Sequence, residues 1–168
     1  AEVLICGQKH AMRLNTLGRH FAMNALAALL AVQRVGADLA KALEALETWR
    51  PGFGRGAREK IMFGDGAVDL IDDAYNANPA SMRAALDMIS ASSAPRRIAF
   101  LGDMKELGAN EVDQHRALAQ WPALGSLDQI HTVGPLMRAL HDALPHHTRG
   151  VHFTRSDEMA KACHDLLK

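Results

Sequence analysis

The sequence predicts an α/β protein in which helices cover a parallel sheet, and three observations lead there. Short apolar runs alternate with helical patterns from residue 68 onward, and several helix starts carry capping residues. Hydrophobic residues also make up 48% of the 168, enough to bury a real core. That length suits one full domain and some remainder.

Residues 1–17 read as short strands: Val3, Leu4 and Ile5 are closed by Gly7, and a weaker alternating piece surrounds Met12 and Leu14. This opening is too short for a domain and reads as the tail of one. From Phe21 to Val35 the pattern turns helical, with Leu26, Leu29, Leu30 and Val32 along one face and Gly36 as a stop. A second helix is expected from Asp38, a good N-cap, with Leu39, Leu43 and Leu46 at four- and three-residue steps, ending before Pro51. The proline and glycines of PGFGRG, residues 51–56, then mark a domain boundary or hinge near Pro51.

Beyond the hinge the expected strands are Val68 to Ile71, Ile98 to Leu101, Ile130 to Val133 and Val151 to Phe153. Helices are expected from Pro79, around Val112 to Trp121, from Pro135 and from Ser156. The helix after Asn78 has the clearest start: Asn78 caps, Pro79 suits the first helical position, and Met82, Ala85, Leu86 and Ile89 line one face.

Lysine plus arginine and aspartate plus glutamate stand at 19 each. No net field gathers a phosphate backbone or an anionic bilayer, so a small specific ligand is expected rather than nucleic acid. The two cysteines, Cys6 and Cys163, match neither a metal nor a redox spacing and read as free thiols in a reducing compartment. No run approaches the roughly 18 apolar residues of a membrane span, and no signal core opens the chain, so a cytoplasmic protein is expected.

Ligands of open α/β sheets collect at the carboxyl ends of strands. Asp72, Asp73, Tyr75, Asn76 and Asn78, in DDAYNANPASM, stand between a strand end and a helix start. A carboxylate there can accept hydrogen bonds from a ribose diol, and the same residues also serve as a capping and turn cluster. In LGDMKELG, residues 101–108, the flanking glycines allow close approach, and Asp103 or Glu106 can hold an ammonium group; the plainer reading is a solvated loop. His20 and Asn24 are one helical turn apart on one face, and Arg55 in the hinge can fork onto a phosphate. The remaining histidines, His146 and His147 among them, form no metal-ligand spacing and read as surface or loop residues.

GRHFAMNALAA, the arginine of PGFGRG, DDAYNANPASM and LGDMKELG, in that order, resemble the Mur ligase family over nearly the whole chain. The resemblance implies the end of a central ATPase domain, residues 1–50, followed by a Rossmann-like carboxy-terminal domain, residues 51–168, incomplete at its end. The last two motifs resemble the family member that joins D-alanyl-D-alanine to UDP-N-acetylmuramoyl-tripeptide in peptidoglycan precursor synthesis. ATP would phosphorylate the terminal carboxylate of the tripeptide, and the dipeptide amine would attack the acyl phosphate.

By the same resemblance His20, Asn24, Arg55, Asp73, Tyr75, Asn76 and Asn78 would lie at the nucleotide. Asp103, Met104 and Glu106 would face the incoming dipeptide, with His115 on the helix behind them. Two positions depart from the family pattern: Phe21 stands where asparagine usually follows the histidine, and Ala74 replaces a serine. The phosphate loop and magnesium ligands are expected upstream of residue 1, since nothing like GxxxxGK[ST] occurs here, and the fragment is expected not to ligate alone. Two other readings stay open at this point: a noncatalytic Rossmann-like module that binds a nucleotide or a partner, and a relative adding a different amino acid, such as a folate or cyanophycin ligase.

Overall fold

In the computed structural model, which describes residues 1–168, the chain opens with a tight antiparallel hairpin of β1 (Glu2–Ile5) and β2 (Gln8–Ala11). Its two-residue turn, Cys6 and Gly7, has φ values of 46° and 83°. Positive φ at both central positions matches the twist of the strands, and only Gly7 adopts it without steric cost. Helix α1 (Arg19–Arg34) and helix α2 (Leu39–Thr48) pack over the hairpin, and Ile5, Met12, Ala25 and Leu29 form the buried cluster.

The turn between the helices follows from local chemistry. Gly36, at φ 71°, donates its N–H to the Gln33 carbonyl, and Ala37 donates to Val32, which together close the end of α1. Asp38 then starts α2 by accepting from the N–H groups of Ala40 at 2.9 Å and Lys41 at 3.1 Å. Helix α1 is apolar on two sides. Phe21, Ala25 and Leu29 are buried, while Met23 and Leu30 stand 55% and 44% exposed, and the C-cap Val35 stands 79% exposed.

After the glycine-rich segment come β3 (Ala57–Phe63) and β4 (Gly66–Asp72), paired antiparallel as a two-stranded sheet of their own. The apolar run Val68 to Ile71 is therefore a strand as expected, but it does not join the parallel sheet. Its partner β3, AREKIMF, was not foreseen, because its charged residues stand side by side and show no alternation. Asp72 closes the glycine segment onto this hairpin: its Oδ2 accepts from Gly54 N–H at 3.1 Å and its carbonyl accepts from Gly56 N–H at 2.7 Å. The chain divides into two compact units, Ala1–Asp72 and Asp73–Lys168.

The second unit carries the parallel sheet, β5 (Ile98–Gly102), β6 (Gln129–Val133) and β7 (Arg149–Phe153), in the order β5-β6-β7. Its helices are α3 (Pro79–Ser90), α4 (Glu111–Ala117), α5 (Met137–Ala143) and α6 (Ser156–Leu166). Asn78 caps α3 through Ala80 and Ser81, and Ser81 returns a bond from the Asn78 N–H, a reciprocal capping box. The core gathers Met82 and Leu86 of α3, Ala99 and Leu101 of β5, Ile130 of β6, and Met137 and Leu140 of α5. This is the mixed α/β arrangement that the alternating runs predict. The expected helix over Val112 to Trp121 is shorter, with α4 ending at Ala117 and passing into 3₁₀ turns over Leu118–Gln120 and Pro122–Ser126.

The central strand β6 meets an irregularity in β7, where Gly150 and Val151 stand opposite the single residue His131. The Val151 N–H is taken up by His131 Nδ1 at 3.0 Å. A Cβ on Gly150 would lie 2.5 Å from that nitrogen and 2.9 Å from the Ile130 carbonyl oxygen, so glycine is the only residue that fits without a shift. Gly150→Ala is expected to destabilise the protein by roughly 1–3 kcal/mol in urea unfolding, the range for an overpacked site. Cys6→Asn is expected to raise stability by about 0.5 kcal/mol in the same measurement, because asparagine tolerates the left-handed turn position better than cysteine.

Candidate functional site

In the first unit, His20 and Asn24 sit one turn apart near the start of α1, His20 half-buried and Asn24 exposed. Between them Phe21 is a buried wedge. Its ring lies 4.0 Å from that of His20 and 5.8 Å from that of Trp49. A Cβ at Gly18 or Gly56 would fall 3.2 Å and 2.9 Å from its ring atoms, respectively. A large aromatic ring therefore fills the position between His20 and the glycine segment, and the two glycines make room for it. Arg55 is exposed and flanked by Gly54 at φ 71° and Gly56 at φ 82°, with its own N–H donated to the Gly52 carbonyl at 3.1 Å. An open hollow nearby is lined by Asn15, Thr16, Arg50, Pro51 and Arg58. The two guanidiniums there carry no motif signal in the sequence.

In the second unit, Asp73, Tyr75, Asn76 and Asn78 occupy the irregular segment leading into α3. Tyr75 is 68% exposed and Asn76 is exposed. The Asn78 Oδ1 is engaged by two backbone N–H groups of the cap, so its side chain fixes the start of α3.

The loop after β5 is built differently from a solvated turn. Asp103 Oδ1 accepts the Met137 N–H at 2.8 Å, tying the loop to the start of α5 across 34 residues. A Cβ on Gly134 (φ 107°) would lie 2.5 Å from that same oxygen, so the carboxylate rests on bare glycine backbone. Met104 and His115 are both fully buried. His115 Nε2 accepts the Met104 N–H at 2.9 Å, and its Nδ1 lies 2.7 Å from the Glu111 carbonyl oxygen. Both bonds together require a neutral ring with its proton on Nδ1. Met104 and His115 thus hold the loop in place from within and present no surface to a ligand. Glu106 is exposed and has φ 62°, a left-handed conformation that costs a non-glycine residue on the order of 1 kcal/mol. The loop is therefore fixed at Asp103 and Met104 and carries Glu106, exposed, on a strained backbone.

Sequence reading missed a cluster at the carboxyl ends of β6 and β7. The buried Thr132 hydroxyl lies 2.9 Å from His152 Nδ1 and 3.4 Å from His141 Nδ1, with the two imidazoles 5.4 Å apart. On β6 itself, His131 is buried and stacks on Phe100 at 5.0 Å, and its Nε2 has no hydrogen-bond partner. Burial is the main reason all three imidazoles are held below their ordinary pKa of 6.5. Neighbouring cations add to it: Arg96 and His141 at His131, His152 and Arg149 at His141, and Arg138 at His152. No group of three or more histidine, cysteine, aspartate or glutamate side chains is placed to hold a metal ion.

Fold and sites together define a Rossmann-like sheet domain with polar loops at its strand ends, preceded in the chain by a unit of helices and hairpins that contains the glycine-rich segment. Residues 58–168 match the family model of the Mur ligase, glutamate ligase domain, and the chain belongs to the Mur ligase family. It is 36% identical over 143 residues to UDP-N-acetylmuramoyl-tripeptide–D-alanyl-D-alanine ligase of Haemophilus influenzae, covering 85% of this chain and 30% of that protein. The Bacillus subtilis ligase of the same name is 32% identical over 165 residues, covering 94% of this chain and 35% of that protein. A crystal structure of MurF from Acinetobacter baumannii superposes with a TM-score of 0.78 and 26% identity, over 99% of this chain and 38% of that one. The chain thus spans about a third of the length of the curated relatives it matches.

The three depressed histidines give a pH prediction. Because their folded pKa values lie below 6.5, the unfolded chain binds more protons in acid. Their contribution to stability is present above pH 6.5 and is lost as pH falls from there through the folded values. Urea midpoints measured from pH 8 to pH 5 are expected to hold level down to about pH 7 and then decline, and His131→Asn, His141→Asn or His152→Asn should each flatten the decline.

Proposed function

We propose that the chain is the carboxy-terminal part of a cytoplasmic ligase that joins D-alanyl-D-alanine to UDP-N-acetylmuramoyl-tripeptide at the expense of ATP, in peptidoglycan precursor synthesis. The observation that carries the reading is the order of four motifs, GRHFAMNALAA, PGFGRG, DDAYNANPASM and LGDMKELG, in a chain similar along most of its length to ligases of that name. Residues 1–50 would close the central ATPase domain, and residues 51–168 would form the carboxy-terminal domain; the family match beginning at residue 58 supports that boundary. The exposed apolar side of α1, Met23 and Leu30, suits burial against more of the ATPase domain.

ATP would activate the tripeptide carboxylate as an acyl phosphate, which the dipeptide amine then attacks with loss of phosphate. His20, Asn24, Arg55, Asp73, Tyr75, Asn76 and Asn78 would bind the nucleotide. Arg55, presented between two left-handed glycines, suits a phosphate, and Asp73 suits the ribose. On the acceptor side Glu106 would hold the ammonium of D-alanyl-D-alanine, while Asp103, Met104 and His115 fix the loop that carries it. Magnesium would be held by residues of the ATPase domain upstream of residue 1.

The test is phosphate release by the full-length protein. Turnover is expected to require the tripeptide together with D-alanyl-D-alanine, and Asp73→Asn is expected to raise the KM for ATP by about tenfold, on the order of one charge-assisted hydrogen bond. Turnover with glutamate or another single amino acid in place of the dipeptide would sink the assignment. The 168-residue chain alone is expected to release no phosphate.

A further inference from the structure

The histidine and threonine cluster is not used by the chemistry above, yet it is built into the element that holds the acceptor loop. Helix α5 is tied to its surroundings at three points. At its start, the Met137 N–H is bound by Asp103. At its end, the Arg149 guanidinium of β7 donates to the carbonyls of Asp142 and Leu144. Between these, His141 reaches the Thr132 hydroxyl of β6, which also meets His152 of β7.

A hydroxyl offers one hydrogen and two lone pairs. With both imidazoles neutral, one ring donates from Nδ1 to Oγ1, and the other accepts the hydroxyl hydrogen on its Nδ1. An added proton breaks this arrangement when it reaches the accepting ring. On the accepting ring it takes the lone pair that bound the hydroxyl hydrogen, and Thr132 is fully buried, so that hydrogen has no water to turn to. On the donating ring it goes to Nε2 and leaves both bonds in place, with that ring 5.4 Å from the other imidazole.

The charged groups around the pair are Arg138 and Asp142 of α5, Arg149 of β7 and Asp103 of the loop. The arginines oppose a proton and the carboxylates favour it. Arg138 and Asp142 partly offset each other, lying 3.8 Å apart. His131 is a separate group held by Val151, and Arg96 and His141 act on it.

We propose that Thr132, His141 and His152 form a positioning unit that seats α5 on the sheet and, through the Met137–Asp103 bond, sets the acceptor loop, and that protonation of the histidine that accepts the Thr132 hydroxyl loosens it. The proposal rests on the ligase reading only for the name of the loop. Its test contains no ligand, so either can fail without the other.

Amide hydrogen exchange of the 168-residue chain is followed from pH 8 to pH 5.5, corrected for the intrinsic pH dependence of exchange, with Leu86 of α3 as the internal reference. Protection at Met137 is expected to fall at least threefold relative to Leu86 as the accepting histidine takes up its proton. The His141→Asn/His152→Asn double variant replaces each Nδ1 by an amide that does not titrate, and it should keep the high-pH protection while losing the pH dependence. Protection at Met137 that stays level with pH in the wild type, or a decline that persists in the double variant, overturns the proposal. Should the double variant not fold, the Cε1 proton titrations of the wild-type histidines decide: the exchange midpoint at Met137 should coincide with that of His141 or His152, and a midpoint matching neither overturns it.

Discussion

The second unit depends on one carboxylate. Asp103 leaves the end of β5 and binds the first N–H of α5, and it reaches that N–H because residue 134 has no side chain in the way. This contact joins the loop after the first strand of the parallel sheet to the helix after the second. Much else is arranged around it: His115 holds the next residue of the loop by its N–H, Met137 and Leu140 bury the inner side of α5, and Arg149 binds the far end of that helix. The loop is consequently rigid where it meets the protein and strained where it meets solvent, at Glu106.

This division of labour separates two acids that look equivalent in LGDMKELG. Either carboxylate can hold an ammonium group by chemistry alone. In the fold, Asp103 already accepts a backbone N–H, whereas Glu106 is exposed. A carboxylate committed to a helix start is a poor partner for an arriving ligand but a good means of placing one that is not.

What could be read from the sequence was local. Asp38 and Asn78 announce their helices because capping is a contact between neighbours in the chain, and Gly36 ends α1 for the same reason. The strands β5 and β6 show as apolar runs because most of their residues are buried or half-buried, whereas β7, an edge strand with Val151 exposed, shows only by its short apolar stretch. β3 did not show, since Arg58, Glu59 and Lys60 are all exposed and its place is set by pairing with β4. The same reason explains why Val68 to Ile71 lies outside the parallel sheet: pairing partners leave no mark in a single strand. At the site, the residue types of the two loops were legible, but their roles were not. His115 acts on Met104 across 11 residues, and Thr132 and His152 meet across 20. Such contacts exist only once the sheet has formed.

The fit of Asp103 against Gly134 also ties the histories of two positions together. Any residue larger than glycine at 134 needs a shorter side chain at 103, and a shorter side chain at 103 releases α5 from the loop. Neither position can drift while the other stays as it is. A side chain at 134 meets both the Asp103 carboxylate and a backbone at φ 107°, and a shortened residue 103 gives up its bond to α5, so the two sites are kept as a single inherited character, although 30 other residues lie between them in the chain.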